Sequence, residues 1–196
     1  IRERYPDIPL QVDANQAYSR EHIDHLTALD EFDLLLIEQP IHEDDYLGLR
    51  RLADRMATPM CLDESILSRD NAESLIDYGA CEIVNIKAGR VGGYVSAKAI
   101  HDLCLDRGVP VWCGGMVETG IGRAANVALA ALPGFTLPGD TSSSSRFFAT
   151  DVTEPLVMSA DGMMDVPSGP GLGVTPIPDL LRQFTVTTYD LASGTR

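Results

Sequence analysis

Four charged side chains at near-constant spacing constrain what this chain can fold into. Asp13, Glu38 and Asp63 follow one another at intervals of 25 residues, and Lys87 comes 24 residues after Asp63. Each of them ends a short strand-like segment, such as the apolar run 34–37 that precedes Glu38. About 25 residues is the length of one strand, one helix and two short loops. The spacing therefore predicts that the four side chains lie at the same height on successive parallel strands.

The apolar runs predict a parallel sheet with helices between its strands. Continuous apolar stretches are typical of strands that are buried on both faces. Six strand-like segments, of which 34–37 is continuously apolar, alternate with five helical patterns, which favours a parallel α/β fold. We predict strands at residues 10–14, 34–37, 60–62, 82–86, 109–113 and 135–137, and helices at about 19–29, 44–57, 68–78, 94–107 and 124–132. A closed barrel of this kind has about eight strands, so we expect that two strands precede residue 1.

Three carboxylates at the mouth of a barrel predict a metal site. Carboxylates that converge there repel one another unless they share a cation. Ligand sets made only of oxygen suit a hard divalent ion, above all magnesium. A single Asp at a strand end is more often the N-cap of the next helix, and a single lysine such as Lys87 is more often a surface residue. Their repetition at one height favours a shared site.

Composition limits the classes of partner and the compartment. The net charge is −14, which argues against nucleic acid and anionic membranes as partners. No apolar run approaches the length of a membrane span, and the first residues contain no signal-peptide core. The four cysteines show no CxxC pairing, which fits a reducing compartment. We therefore expect a soluble cytoplasmic protein whose partner is a small molecule.

The pattern changes after Asp140. Residues 141–145 are polar and predict a loop, although their composition suits a flexible linker equally well. Residues 154–166 resemble a hairpin that turns at 160–162, and residues 184–189 are a candidate strand. None of these segments resembles another βα unit. We predict a partial barrel domain over residues 1–145 and a segment over residues 146–196 that packs on a second domain.

Several motifs resemble a known family. Four strand-end motifs resemble those of the enolase superfamily, muconate-lactonising subgroup: Asp13-Ala-Asn15, Ile37-Glu-Gln-Pro40, Leu62-Asp-Glu-Ser65 and Asn85-Ile-Lys87. The glycine-rich loop 114–123 and the motif at 137–141 resemble more specifically the o-succinylbenzoate synthase / N-acylamino acid racemase family. The resemblance covers nearly the whole chain. It implies a TIM-like (β/α)7β barrel, here partial, whose capping domain includes the C-terminal segment.

The resemblance also implies roles for the strand-end residues. Asp13, Glu38 and Asp63 would bind Mg2+ or Mn2+. Lys87 would be one of two lysines that flank the α-carbon of a carboxylate substrate. Its partner would belong to a Lys-x-Lys motif on the strand before Asp13, and neither that strand nor the N-terminal part of the cap occurs in this sequence. We therefore expect that the chain is part of a longer enzyme.

Further residues are candidates for contacts with ligands. Asn15 and Glu64 would orient metal ligands or bound water, although helix-capping roles suit them equally. The loop that begins after the fifth strand would contact the substrate, because missing side chains allow a close approach. The residues expected to make these contacts are Gly114, Gly115, Met116 and Ile121.

The resemblance implies an enzyme with one of two activities, and the sequence does not choose between them. An o-succinylbenzoate synthase dehydrates a cyclohexadiene carboxylate through an enediolate in menaquinone biosynthesis, and an N-acylamino acid racemase inverts an α-carbon. Other racemases, epimerases and muconate-type cycloisomerases of the superfamily are alternatives. Against dipeptide epimerases, Pro138 replaces the first residue of the Asp-x-Asp pair that binds their substrate's ammonium group. A non-catalytic barrel fragment that needs a complementing chain is a further alternative, and we expect the intact enzyme to be a homo-oligomer.

Overall fold

Five short parallel strands form a single sheet in chain order. The computed structural model describes residues 1–189. The strands are β1 (Gln11–Asp13), β2 (Leu36–Glu38), β3 (Met60–Leu62), β4 (Ile83–Ile86) and β5 (Val111–Cys113), and each pairs in parallel with the next. The strand expected at 135–137 is reduced to one parallel bridge between Val111 and Phe135. The five strands form a curled half-barrel, which confirms the prediction of a partial α/β barrel.

Helices alternate with the strands, as the sequence predicts. They are α1 (Ile23–Thr27), α2 (Tyr46–Ala53), α3 (Arg69–Tyr78), α4 (Tyr94–Arg107) and α5 (Gly120–Ala130), and a further helix, α6 (Pro178–Phe184), lies in the tail. Short 3-10 helices, Arg20–His22 and Ala28–Phe32, flank α1. Helix α5 begins at Gly120 and not at residue 124. The Asp151 carboxylate accepts a hydrogen bond from the Gly120 N–H at 2.7 Å and so stabilises the early start.

The ends of the middle helices follow from their sequences. At the start of α3, the Ser68 hydroxyl accepts a hydrogen bond from the Asn71 N–H at 3.2 Å. Gly79 ends α3 with a φ of 75° and Gly108 ends α4 with a φ of 67°. Glycine adopts this left-handed conformation without the strain that a side chain would add. These sharp ends keep the connections short, and short connections bring the chain back to the next strand.

The core of the sheet contains one residue from each of four strands. Leu36, Cys61, Ile83 and Trp112 pack together, and Leu137 packs against them. The Trp112 indole N–H donates to Cys61 Sγ at 3.3 Å. Burial raises the pKa of the Cys61 thiol, and all four cysteines are free and buried. The cysteines therefore behave as small apolar residues of the interior.

Two predictions for the tail are wrong. Residues 154–166 contain a turn, in which the Ser159 N–H donates to the Met163 carbonyl oxygen at 2.8 Å, but no strand. Residues 185–189 form no strand either, and Phe184 is the last residue of α6. An alternating pattern becomes a strand only where another strand supplies its hydrogen bonds. Residues 190–196 lie outside the part of the chain that the structure describes.

The chain divides into two compact units. One unit consists of Ile1–Gly114 and Leu132–Gly139, and the other consists of Gly115–Ala131 and the residues from Asp140 onward. The sheet and helices α1 to α4 belong to the first unit, whereas α5 and the tail belong to the second. The predicted division at residue 145, between a barrel and a returning segment, stays a prediction. Within residues 1–189, no helix has the length and apolar character that crossing a membrane requires.

Candidate active site

Parallel pairing brings the strand-end side chains to one edge of the sheet. Asp13 and Glu38 are Cα partners in the pairing of β1 with β2. Glu38 pairs with Cys61, so Asp63 lies just beyond the end of β3, and Lys87 follows directly after β4. All four residues therefore lie at the carboxyl ends of neighbouring strands. In barrel enzymes this edge carries the catalytic groups.

Glu38 is a buried carboxylate, with 2% of its surface exposed. Its Oε1 accepts a hydrogen bond from Asn85 Nδ2 at 2.7 Å. Burial raises the pKa of Glu38 to about 8; the hydrogen bond from Asn85 opposes the rise, and the negative charges of Asp13 and Asp63 add to it. The site therefore crowds negative charge around a carboxylate that water does not reach. A bound cation would relieve this crowding.

Two cations that follow β4 neutralise Asp63. Lys87 Nζ donates to Asp63 Oδ2 at 2.7 Å, and the Arg90 guanidinium group donates to both carboxylate oxygens. The Asp63 side chain is buried, and those of Lys87 and Arg90 are mostly buried. The Lys87 ammonium group is thus held in one position beside the carboxylates, as proton transfer requires.

Gln39 ties the end of β2 to the end of β3. Its Oε1 accepts hydrogen bonds from the backbone N–H groups of Asp63 at 3.0 Å and Ser65 at 3.2 Å. Its Nε2 donates to the Ser65 hydroxyl at 2.8 Å. Gln39 adopts a φ of 33°, which is uncommon for a residue with a side chain. The buried amide therefore holds Glu38 and Asp63 in a fixed relation at the strand ends.

The oxygen donors of this edge fit a hard divalent cation, although they do not form a closed cage. Among the residues that the structure describes, no three His, Cys, Asp or Glu side chains lie close enough together to hold a metal ion. Asp63 is engaged by the two cations after β4, and Asp13 is exposed on the first strand of the sheet. The residues suit a divalent cation by the type of their donor atoms. Three carboxylates lie at one edge of the sheet, and Glu38 is buried near the negative charges of the other two. Their role as ligands stays a prediction.

The two residues that we expect to orient ligands have different surroundings. Asn15 uses its backbone N–H, which donates to Asp13 Oδ1 at 2.9 Å. Glu64 is half-buried, and its Oε2 atom is buried without a hydrogen-bond partner in residues 1–189. Burial raises the pKa of Glu64. A buried oxygen without a partner is costly, so Glu64 has an unused capacity to accept a hydrogen bond from a ligand. The assigned roles of both residues stay predictions.

The two glycines after β5 make room for protein atoms. A Cβ atom at Gly114 would collide with Asn85 Oδ1 and would lie 2.6 Å from Lys87 Cε. Within the second unit, a Cβ atom at Gly115 would lie 2.7 Å from Arg123 Nη1. In the direction of each missing side chain, the space is therefore filled by the chain itself. Substrate contacts remain predictions for the four residues Gly114, Gly115, Met116 and Ile121.

The sequence patterns indicate no role for Asn85, Arg90 or Gln39. A signal for Asn85 exists, because it is a polar residue in a strand whose four residues are all buried, and buried polar groups need partners. Gln39 has the same signal, since it extends a buried apolar run. Arg90 has none, because arginine is common in surface turns.

Comparison with known proteins identifies the family. Residues 1–180 match the family described as enolase C-terminal domain-like. The chain belongs to this family. The match confirms the resemblance to the enolase superfamily and agrees with the half-barrel of parallel strands.

Named relatives of this enolase-like chain have different activities. An N-succinylamino acid racemase of Amycolatopsis is 61% identical over 98% of this chain and 52% of its own length. An o-succinylbenzoate synthase of Geobacillus stearothermophilus is 53% identical over 88% of this chain and 46% of its own length. The crystal structure of a dipeptide epimerase from Cytophaga hutchinsonii, complexed with Mg and the dipeptide D-Ala-L-Val, is 30% identical with a TM-score of 0.85, over 93% of this chain and 50% of that one. The chain spans about half the length of the curated relatives it matches.

Proposed function

We propose that the protein transfers a proton at the α-carbon of a carboxylate substrate, as an o-succinylbenzoate synthase that also racemises N-succinylamino acids. The observation that carries the proposal is the contact of Lys87 Nζ with Asp63 Oδ2 at 2.7 Å, at the strand edge that also holds Glu38. This contact holds the Lys87 ammonium group beside the carboxylates that would bind a divalent cation. The two named relatives with identities of 61% and 53% support the same pair of activities.

The proposed chemistry follows from the charge that develops on the substrate. Removing the α-proton of a carboxylate leaves an enediolate with two negative charges. A divalent cation, when bound, offsets this charge as a Lewis acid. Asp13, Glu38 and Asp63 would hold the cation, and their oxygen donors favour Mg2+ or Mn2+. The magnesium in the structure of the Cytophaga relative supports this choice.

Lys87 would act differently in the two reactions. In racemisation, a group on each face of the α-carbon removes or returns a proton, so Lys87 would be both acid and base. In dehydration, a base on the other face removes the α-proton and Lys87 stabilises the negative charge. The bond between the β-carbon and its hydroxyl group then breaks, and the hydroxyl group takes up the removed proton and leaves as water. The sequence contains two lysines, and the other, Lys98, is exposed and paired with Asp102. Lys87 is therefore the lysine of this sequence that the mechanism can use.

Substitutions of Lys87 test the proposal. Arginine keeps the positive charge but does not release a proton in proteins. In Lys87→Arg we therefore expect racemisation of N-succinylamino acids to be lost and part of the synthase activity to remain. Lys87→Ala should lower both activities by about 100-fold or more, which is the usual worth of a positioned acid or base. The measurement is steady-state kinetics on both substrates, with α-proton exchange followed in deuterated water.

Lys98→Arg is the matched control. Because Lys98 is an exposed residue of α4, this change should leave both activities as they are. Equal retention of both activities in Lys87→Arg would show that Lys87 transfers no proton. Wild-type activity in Lys87→Ala would refute the proposed function altogether.

A dipeptide epimerase is an alternative with less support, because the Cytophaga relative is 30% identical. Pro138 also stands where the resemblance implies the first aspartate of an Asp-x-Asp pair. A muconate-type cycloisomerase also has less support, because the solved structures of a 2-chloromuconate cycloisomerase from Rhodococcus opacus and of a muconate lactonizing enzyme are 27% and 28% identical to this chain.

We also propose a compartment and a pathway for the enzyme. A cytoplasmic place in menaquinone biosynthesis is supported by the synthase relative and by four free, buried cysteines, which suit a reducing compartment. Growth of a strain that lacks its own synthase, when it carries this protein, would test the pathway. Homo-oligomerisation stays a prediction, which sedimentation velocity on the purified protein would measure.

A further inference from the structure

A completely buried arginine lies on α5. Arg123 has 0% of its side chain exposed, and its Nη2 donates to the Met116 carbonyl oxygen at 2.7 Å. Its Nη1 is 3.8 Å from Glu118 Oε2, and neither Nη1 nor Nε makes a hydrogen bond within residues 1–189. Burying a charged group with unused donors is costly. An apolar residue would fill this position at lower cost, so the charge itself needs an explanation.

Charged side chains bind the backbone of the loop that follows β5. The Gly115 N–H donates to the Asp140 carboxylate, and the Met116 N–H hydrogen-bonds to the Glu118 carboxylate. Arg123 binds the Met116 carbonyl group. We name this set of three side chains, Glu118, Arg123 and Asp140, the loop clamp. Hydrogen bonds to charged groups are about twice as strong as those between neutral groups, so the clamp holds the loop backbone firmly.

The clamp is itself held in place. Asn126 Nδ2 donates to both carboxylate oxygens of Glu118, at 2.6 and 2.7 Å. The Arg123 guanidinium carbon lies 5.7 Å from the centre of the Phe147 ring, which is within the range of a cation–π contact. Neighbouring residues of the same unit therefore fix the positions of the carboxylate and the guanidinium group that bind Met116.

The loop clamp explains why residue 115 is a glycine. Gly115 is not among the residues with a positive φ, so its backbone conformation does not require glycine. A Cβ atom there would lie 2.7 Å from Arg123 Nη1 and 2.7 Å from the Asp140 carbonyl oxygen. Real Cβ atoms do not approach other atoms so closely. The missing side chain lets Arg123 pack directly on the loop backbone.

The clamped loop presents apolar side chains to solvent. Met116 is 49% exposed and Val117 is 69% exposed. Both belong to the loop that follows β5 along the chain, and loops that follow the strands carry substrate specificity in barrel enzymes. A backbone that buried charges hold in place therefore offers two apolar side chains at defined positions. Defined positions are what selective contact with an apolar group of a ligand requires.

We propose that Arg123 is a positioning residue for substrate specificity: through the loop clamp it places Met116 and Val117 for contact with the apolar side chain of an N-succinylamino acid. The substrate class rests on the proposed function. Arg123 is completely buried and touches no reacting atom. Its loss should therefore weaken binding of substrates with large side chains and change the chemical step much less.

Arg123→Met tests the proposal, because methionine has a similar length and no donors. For N-succinylphenylalanine we expect KM to rise about tenfold, the effect of losing a hydrogen bond to a charged group. For N-succinylalanine, whose side chain is a single methyl group, KM should change little. The kcat values should change by less than about threefold, because the contact stabilises the bound substrate and the transition state equally.

Matched variants separate positioning from a merely structural effect. Arg123→Lys, which retains a donor and the charge, should recover part of the lost affinity. Gly115→Ala should reproduce the KM rise, because its Cβ atom displaces Arg123 Nη1. Arg146→Met makes the same chemical change at an exposed arginine of the same unit and should have no effect.

The decisive quantity is the ratio of the KM for N-succinylphenylalanine to the KM for N-succinylalanine. A wild-type ratio in folded Arg123→Met would overturn the proposal, and so would an equal loss of kcat on both substrates. If Arg123→Met does not fold, a wild-type ratio in both Arg123→Lys and Gly115→Ala would overturn it, and a raised ratio would support it. A methyl NMR signal of Met116 keeps the test separate from the proposed function. If the wild type does not turn over N-succinylamino acids, a broadened Met116 signal in Arg123→Met still supports the clamp, and an unchanged signal refutes it.

Discussion

Replacing Glu38 with glutamine should remove a pH dependence from the stability of the metal-free protein. Glutamine has nearly the shape of glutamate, and its carbonyl oxygen can accept the hydrogen bond that Asn85 Nδ2 makes at 2.7 Å. Glu38→Gln therefore removes a buried ionisable group with little change in packing. The difference between wild type and variant reports on that group alone.

The magnitude follows from the pKa of Glu38, which is about 8 in the folded protein against an ordinary value of 4.5. Below pH 4.5 the carboxyl group is protonated in both the folded and the unfolded state and has no effect. Between pH 4.5 and 8 the unfolded state loses its proton first, so the free energy of unfolding falls as pH rises. One pKa unit corresponds to about 1.4 kcal/mol, so the whole loss is on the order of 5 kcal/mol.

Urea unfolding with a chelator present, between about pH 5 and 8, measures this loss. In the middle of that range, the free energy of unfolding of the wild type should fall by about 1.4 kcal/mol per pH unit more than that of Glu38→Gln. Glu31→Gln changes an exposed carboxylate and should keep the wild-type slope. Added magnesium should flatten the slope of the wild type, because a bound cation favours the ionised form of Glu38.

Identical slopes in wild type and Glu38→Gln would refute this reasoning, because they would mean that burial does not hold the proton on Glu38. A rise of stability with pH that depends on Glu38 would show that the opposing hydrogen bond from Asn85 and the charge of Lys87 dominate.

Two further substitutions test packing in the first unit. Gly114→Ala should destabilise the protein by about 1–3 kcal/mol and remove most of its activity, because its Cβ atom would collide with Asn85 Oδ1 and lie 2.6 Å from Lys87 Cε; a stable, fully active variant in thermal unfolding and kinetics would contradict the crowding. His101→Ala should destabilise by about 1–3 kcal/mol, because buried His101 Nε2 donates to the Pro133 carbonyl oxygen at 2.7 Å. An unchanged melting temperature of His101→Ala would argue that this hydrogen bond contributes nothing.

The order of the strands and the edge that carries the site were determined by the sequence alone. Asp13 and Glu38 are 25 residues apart, and the structure makes them Cα partners on neighbouring strands. The apolar run before Glu38 predicts a strand, and the residues of β2 are all buried. Both features depend only on the order and spacing of residues along the chain, so a pattern in the sequence records them directly.

The same kind of pattern fails where it needs a partner from elsewhere in the chain. Residues 184–189 alternate as a strand would, yet Phe184 ends a helix and residues 185–189 pair with nothing as a strand. Pro178 supplies a local start signal for that helix, and a local signal can act without a partner. A strand cannot, because its hydrogen bonds lie between segments.

Which side chains face one another in the site was decided only by the tertiary structure. Asn85 reaches Glu38 across 47 residues of sequence, and Arg90 reaches Asp63 across 27. Such pairs depend on the space that neighbours leave, as Gly114 leaves it for Asn85. Burial also decides their energetics, since the same Glu38 carboxyl group has a pKa of about 8 only where the folded chain excludes water from it.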